Sequence, residues 1–318
     1  MGVTHSGSQL AQRSLLARIW RARWAYVFVL VPMLLFLTFE FYMFVQAFGY
    51  SLSRWSIAGP VDFVGLANYV ALVRDSVFWK ALWNTLRYSL VVVPGGIALA
   101  LVMAALIFPL ARVAKTFFKM AFYLPAVASI VVVSLVWRWM YQPAFGLFNY
   151  LAGLVGLGPF LYLGSSSQAL PSIMLMQIFS NPVIGLGASV ILLLAAMNSI
   201  PLELYEAAIL DGASGWQKFR YVTVPLLRST IVFLSIIGTI ETFREFTAIY
   251  LMTSSSSSNT LTGGGPFYST TTVVYYIYIN AFVTHQFGLA AAMAIVLFGL
   301  ILGLAALQFR YVNLEVEY

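Results

Sequence analysis

Few side chains in this sequence are ionisable, and those inside apolar stretches are the first candidates for chemistry. Glu40 lies within the apolar stretch 24–48, Glu241, Arg244 and Glu245 within 226–252, and Asn181 within 170–197. An ionisable group in hydrocarbon costs about 3 kcal/mol or more, so it faces a partner or a wet cavity. Pro182, directly after Asn181, removes a backbone hydrogen bond from its stretch. At about 1.5 Å per helical residue, Glu40 stands about 24 Å beyond Arg23 and Asn181 about 26 Å from Asn198. On the same scale Glu241 and Arg244 stand about 24 and 28 Å beyond Pro225. Three separate stretches therefore bring polar groups to one layer. In one reading the layer lines a path for a polar solute, with Arg244 close to it. In the other, Arg244 pairs with Glu241 or Glu40 and only neutralises buried charge. No catalytic constellation accompanies these residues. His5 and His285 are far apart, Cys is absent, and no Gly-x-x-x-x-Gly-Lys-Ser/Thr stretch exists to cradle a phosphate. The residues fit selection and movement of a solute rather than catalysis.

The second polar concentration is Glu206-Ala207-Ala208-Ile209-Leu210-Asp211-Gly212-Ala213, with Glu203 ahead of it and Trp216, Phe219, Val224 and Pro225 after it. Pro201 suits a first helical turn, where its missing donor would be unpaired anyway. Glu203 and Glu206 suit the positive end of that helix. Gly212 can take the left-handed conformation that ends the first run and redirects the chain. The expectation is two short helices at an angle, the second continuing to Val222, held against a membrane surface with one face offered to a partner.

The elements that position both groups belong to a bilayer protein. Hydrophobic residues make up 61% of the 318 and charged residues 8%, against about a quarter charged in a soluble domain. Six stretches reach the roughly 20 apolar residues needed to cross about 30 Å of hydrocarbon: 24–48, 88–108, 118–140, 170–197, 226–252 and 287–307. Arg13, Arg18, Arg21, Arg23, Arg112, Lys115, Lys119, Lys218, Arg220, Arg228 and Arg310 fall on the side of the Glu206 loop, and only Arg54, Arg74, Lys80, Arg87 and Arg138 on the other. Basic residues collect on the cytosolic side, so both termini and the Glu206 loop are expected there. The net charge of +7 follows from this pattern and needs no nucleic acid. The fold expected is all-α and polytopic, with six transmembrane helices and a cytosolic helical elbow. It divides into a retained cytosolic segment 1–23, a transmembrane domain 24–310 with the elbow loop at about 198–225, and a cytosolic tail 311–318. The longest outer loop is 49–84, where Trp79 and Trp83 suit an interfacial aromatic belt. Loop 142–167 is rich in glycine turns, and another outer loop holds a serine run at 254–258 before Gly263-Gly264-Gly265-Pro266.

The spacing Glu-Ala-Ala, two residues, Asp-Gly-Ala, two residues, Trp, two residues, Phe and a closing Pro, met at 206–225, resembles the EAA motif of bacterial ABC-importer permeases. The class it resembles is the carbohydrate-uptake one, which includes the maltose-type and glycerol-3-phosphate-type systems. Phe63-Val64-Gly65-Leu66-Ala67-Asn68-Tyr69, Phe78-Trp79-Lys80-Ala81-Leu82-Trp83-Asn84-Thr85, Phe122-Tyr123-Leu124-Pro125 and Val136-Trp137-Arg138-Trp139 are similar to the same class, the first two to the first of its paired permeases. The resemblance covers 24–310. It implies a type I importer fold in a bacterial inner membrane, a heterodimer with a second homologous permease, and a dimer of ABC ATPase subunits. ATP and Mg would be held by that ATPase, with no cofactor on this chain, and an extracytoplasmic solute-binding protein would deliver a sugar. In such permeases the Glu at 206 contacts the ATPase, and the small Ala207 and Ala208 let the helix seat in its groove. Gly212 permits the bend, and Glu203, Asp211, Ala213, Trp216 and Phe219 complete the coupling set. The glycine run is similar to a stretch near the binding-protein contact, although the serine run is longer than the class pattern. Arg244 departs from the neutral or acidic residues of the class, which leaves room for an anionic sugar. An ion-coupled carrier acting alone is the competing reading; it would call for paired repeats and charges near the midplane, and no repeat is evident.

Overall fold

The computed structural model describes residues 23–56, 59–181, 183, 185–254 and 264–313. The chain divides into two compact units between residues 50 and 51. In the first, α1 (Arg23–Leu35) and α2 (Tyr42–Ser51) are joined without a break by a π-helical stretch, Phe36–Phe41. Trp24–Ser51 is one run of 28 residues with a mean hydropathy of 2.1, long enough to cross hydrocarbon. Most of segment 1–23 lies outside the described residues, as do serines 255–258, Gly263, Pro182 and residues 314–318.

The second unit opens with an antiparallel hairpin, β1 (Ser53–Ser56) and β2 (Gly59–Phe63), followed by α3 (Ala67–Arg74) and α4 (Ser76–Ile107). After them come α5 (Arg112–Val127), α6 (Ile130–Met140), α7 (Leu147–Leu154), α8 (Ala169–Ser180), α9 (Ala188–Asn198), α10 (Leu202–Leu210) and α11 (Gly215–Lys218). The remaining helices are α12 (Arg228–Phe243), α13 (Thr247–Thr253), α14 (Val273–Tyr278) and α15 (Phe287–Asn313). The hairpin is held from α3: Asn68 Nδ2 donates to the carbonyls of Ser51 and Ser53 at 2.8 and 3.1 Å, and the Tyr69 and Ser51 hydroxyls meet at 2.7 Å. This is the work done by the Asn-Tyr pair in the first outer stretch.

α4 is the hub of the bundle. It packs on α8, α9, α12 and α14, and Tyr88, Val92 and Ala100 on it are fully buried. Gly96, Ala100 and Ala104, four residues apart, form a buried small-residue stripe. Inside a bilayer, helices associate through close packing rather than by escaping water, and small residues permit it. Next to that stripe, a Cβ on Gly95 would come within 2.9 Å of Ile178 on α8.

α4 begins at Ser76, three turns before the expected start of its apolar stretch, so the presumed loop 49–84 ends nine residues early. The cause is Asp75. Its Oδ1 accepts from the backbone N–H groups of Val77 and Phe78 at 2.8 and 3.3 Å, while its Oδ2 accepts from the Tyr276 hydroxyl at 2.6 Å. One carboxylate thus starts the hub helix and ties it to α14. Beyond it, Lys80 Nζ donates to the Phe267 carbonyl at 2.6 Å, and Asn84 Nδ2 to the carbonyls of Tyr268 and Thr271, each at 3.0 Å. An N-cap contributes about 1 kcal/mol and a hydrogen bond to a charged group about 1.5–3 kcal/mol. Asp75→Ala is therefore expected to lower the melting temperature of the purified complex by several degrees, and Tyr276→Phe by less. Equal melting of Asp75→Ala and wild type would contradict this role.

All six expected apolar stretches are helical, but only three are unbroken: Trp24–Ser51, Ser76–Ile107 and Phe287–Arg310. The stretch expected at 118–140 is α5 and α6, interrupted at 128–129, where Ser129 caps α6 by accepting from Val131 N–H at 3.3 Å. The stretch expected at 170–197 is α8 and α9, separated by 181–187; the one expected at 226–252 is α12 and α13, separated by 244–246. Backbone freed at such depth is tolerated only where protein or a wet cavity satisfies it. Here side chains do so. Asn181 Oδ1 accepts from Val183 N–H at 2.8 Å, and Glu245 Oε1 from Ala248 N–H at 2.8 Å. Gly185 allows the first break, since a Cβ there would lie 2.5 Å from the Asn181 carbonyl oxygen. α14, an apolar helix between the fifth and sixth stretches, was not anticipated.

Candidate functional site

α10 and α11 form a bent elbow at one end of the bundle. α10 leaves α9 at 72°, and the run Gly215–Leu226 meets α12 at 66°. Pro201 does not occupy the first helical turn as expected. Its ψ of 133° is extended, so it stands just outside as the N-cap, and the helix starts at Leu202. Glu203 lies in the first turn, where the helix dipole favours a negative charge.

The bend has a defined geometry. Asp211 is the C-cap of α10, and Gly212 follows with a φ of +75°. Gly212 N–H donates to the Ile209 carbonyl at 3.0 Å and Ala213 N–H to the Ala208 carbonyl at 2.9 Å. These are the two bonds of a Schellman motif. Nothing lies within 4 Å of where a Cβ would sit on Gly212, so glycine is required for its backbone conformation and not for space. Two residues later Ser214 opens α11 with a capping box: Gln217 N–H donates to Ser214 Oγ at 3.3 Å and Ser214 N–H to Gln217 Oε1 at 2.7 Å. Ser214 and Gln217 escaped the sequence reading, although Ser-x-x-Gln before an aromatic run is a signal of this cap. α11 does not stop at Val222; it widens into a π-helical stretch, Phe219–Thr223, and runs on through Val224–Leu226.

One side of α10 faces the bundle and the other does not. Tyr205 and Ala208 are half-buried, whereas Glu203, Glu206, Ala207 and Leu210, spaced i, i+3, i+4 and i+7, are exposed. The Tyr205 and Thr223 hydroxyls meet at 3.0 Å, binding α10 to the return run, and the Tyr205 ring lies 6.3 Å from that of Phe108 at the end of α4. The elbow is therefore a braced body tied to the hub helix. Its outward surface carries Leu210, 89% exposed, and Trp216, 66% exposed and 5.6 Å from the Phe219 ring. Large apolar side chains left outside in this way mark a contact site.

The polar layer divides in two. Glu40 falls within the π-helical stretch of the first unit and is exposed. In the second unit Asn181 and Glu245 turn inward. Asn181 Nδ2 donates to Gln177 Oε1 at 3.1 Å, while Gln177 Nε2 is buried without a hydrogen-bond partner among the described residues. Thr242 Oγ1, one turn before the break, donates to Ser89 Oγ on α4 at 2.8 Å. The two broken segments pack on each other through α8 and α13, and Gln177 on α8 is a buried polar residue without an evident signal in the sequence. Glu241 and Arg244, by contrast, are exposed, and among the described residues no ion pair joins them. Two residues after Arg244 begins an aromatic group that the sequence analysis does not single out: Phe246, Tyr250, Tyr275 and Tyr278, with Phe246 4.9 Å from Tyr278 and Tyr275 stacked on Tyr278 at 5°. Its signal was the four-residue spacing from Phe246 to Tyr250 and the three-residue spacing from Tyr275 to Tyr278.

The sequence and the fold are similar to those of known proteins. The family model described as the binding-protein-dependent transport system inner membrane component matches residues 96–312, most of the chain and the whole of the elbow. The chain belongs to this family. It is a permease component, similar at 34% identity over 89% of its length to the probable ABC transporter permease protein YurN of Bacillus subtilis, 94% of which is covered. It is 30% identical over 94% of its length to the sn-glycerol-3-phosphate transport system permease protein UgpA of Salmonella typhi, 98% of which is covered. A chain of a bacterial alginate ABC transporter, crystallised with an alginate pentasaccharide-bound periplasmic protein, shares its fold with a TM-score of 0.79. That match has 23% identity and covers 92% of this permease and 95% of the other chain.

Proposed function

We propose that this permease is the membrane-crossing subunit of an ATP-driven importer for a sugar or sugar derivative, multi-pass, with both termini and the elbow in the cytosol. The carrying observation is the elbow: a rigid, braced pair of short helices with acidic and apolar side chains turned outward and its inner side fixed to the hub helix. Glu203, Glu206, Ala207, Leu210 and Trp216 seat in a groove of a separate ATPase subunit, which binds the ATP and Mg; Asp211, Gly212, Ala213 and Phe219 set the angle. Packed elements shift as bodies. ATPase closure therefore reaches α4 through Tyr205 and Phe108 and rocks the bundle between inward- and outward-facing states. The excess of basic residues on the elbow side supports the orientation.

The path for the solute runs along the face of the second unit that carries Glu241 and Arg244. Charges at this depth cannot face lipid cheaply, and among the described residues Arg244 has no counter-ion, so a second permease or a wet cavity covers it. Asn181 and Glu245 hold the two breaks that shape this face. The guanidinium, which binds carboxylate or phosphate in a fork, favours an anionic sugar handed over by an external binding protein. The relatives named for glycerol-3-phosphate and alginate support that preference. Affinity purification of the tagged chain from its own cells tests the reading. An ATP-hydrolysing subunit and a second permease are expected to accompany it. A chain that purifies alone and transports on an ion gradient would overturn it in favour of a carrier.

A further inference from the structure

α7 is turned the wrong way round for a helix that meets water. Its outward stripe is Leu147, Tyr150, Leu151 and Leu154, spaced i, i+3, i+4 and i+7 and between 47 and 67% exposed. Its polar residue faces the protein instead. Asn149 Oδ1 accepts from Phe160 N–H at 2.8 Å, and Asn149 Nδ2 donates to the Phe160 carbonyl at 3.0 Å. Phe148, also inward, packs its ring 5.0 Å from Tyr141 and 5.5 Å from Trp137. A helix on an aqueous surface shows the opposite arrangement, with its apolar stripe toward the core.

Two further observations identify what covers the stripe. From residue 139 to residue 202 there is no Asp, Glu, Lys or Arg, whereas a protein-docking surface carries a polar rim around its apolar centre. The stripe is also continuous with a membrane-crossing segment. α6 leads into α7 through Trp139 and Phe145, both exposed, with their rings 6.1 Å apart, and large aromatic side chains collect where hydrocarbon meets headgroups. We propose that α7 lies in the plane of the bilayer interface, at the end of the bundle opposite the elbow, with its stripe among the phospholipid acyl chains. The groove between α7 and the end of α6, lined by Trp139, Phe145, Tyr150 and Leu157, is then an acyl-chain seat. Asn149 is the clasp that turns the apolar stripe outward. A short apolar helix held in this plane fixes the outer end of the α5–α6 segment relative to the membrane while the rest of the bundle rocks.

The chain contains no cysteine, which makes the test direct. Leu151→Cys and Leu154→Cys, each made alone in the complete importer, are spin-labelled and reconstituted in vesicles of phosphatidylethanolamine and phosphatidylglycerol. Labelled wild-type complex supplies the background from partner subunits, and retained transport shows assembly. Collisions with molecular oxygen, which partitions into lipid, are expected to exceed those with a water-soluble nickel chelate several-fold at both positions. An excess of chelate collisions would place the stripe in water, and suppression of both reagents would place it against a protein. Either result overturns the proposal.

Discussion

Gly212→Pro is expected to abolish most uptake, by more than about tenfold, while the chain stays in the membrane at its normal level. The φ of +75° at Gly212 costs an L-residue about 1–2 kcal/mol, and proline cannot adopt it at all. Proline also removes the N–H that donates to the Ile209 carbonyl at 3.0 Å, a bond worth about 1 kcal/mol. Together these reach about 2–3 kcal/mol at least. A penalty of that size empties the bent state by more than about tenfold. Because no atom lies near the missing Cβ, the series has an internal control. Asparagine tolerates the left-handed conformation, so Gly212→Asn should retain most uptake, Gly212→Ala less, and Gly212→Pro least. ATP hydrolysis should persist in Gly212→Pro without its link to uptake. Transport at wild-type rate in Gly212→Pro, or a series ordered by side-chain size alone, would contradict the bend's role.

The second large effect is expected at Arg244. Its side chain stands exposed at the carboxyl end of α12, where its backbone N–H donates to the carbonyls of Ile240 and Glu241 at 3.2 and 3.1 Å. A cation there stabilises the helix by about 0.3–1 kcal/mol through the dipole, too little to hold or lose the fold. A charge-assisted hydrogen bond to a passing anion contributes about 1.5–3 kcal/mol, so Arg244→Gln should slow uptake of an anionic sugar by about tenfold or more. Arg244→Lys should recover part of that loss. Uptake measured against equal amounts of assembled complex separates the two roles. If Arg244→Gln transports normally at unchanged protein level, the residue serves only the helix end.

These two sites differ in how far the sequence alone reveals them. The elbow is legible because its parts are local: a glycine at the turn, a Glu in the first turn and a fixed run of aromatic spacings. Even there Pro201 falls one place outside its expected position, because its backbone is extended, and the second run outlasts Val222, because the chain widens into π-helical turns instead of stopping. The apolar stretches are legible in number and place but not in continuity. Hydropathy averages over residues 181–187, which stay largely apolar, and over 244–246, where the pair Arg244-Glu245 is too short to interrupt the apolar run around it. The freed N–H groups are then met by Asn181 and Glu245, whose caps become visible only in three dimensions. Asp75 shows the same limit at α4, where a short-range cap extended a helix by three turns and a partner 201 residues away, Tyr276, fixed its position. What the sequence marks as one polar layer is two surfaces in the second unit, one buried at Asn181 and Gln177 and one open at Arg244. Side-chain depth along a helix is readable from residue number, but direction around it is not when the helix is broken.

Coupled import requires the elbow to meet an ATPase, and a cysteine at Leu210 tests that contact directly. Leu210 is the most exposed large apolar side chain of the elbow, and a thiol there is the only one this chain would contribute. In membranes carrying the intact complex, a short thiol-reactive cross-linker should join Leu210→Cys to the ATP-hydrolysing subunit. The yield should change when nucleotide is bound, and a membrane-impermeant maleimide added to whole cells should leave the thiol unmodified. Labelling from outside the cell, or no cross-link to any nucleotide-hydrolysing partner, would contradict the account.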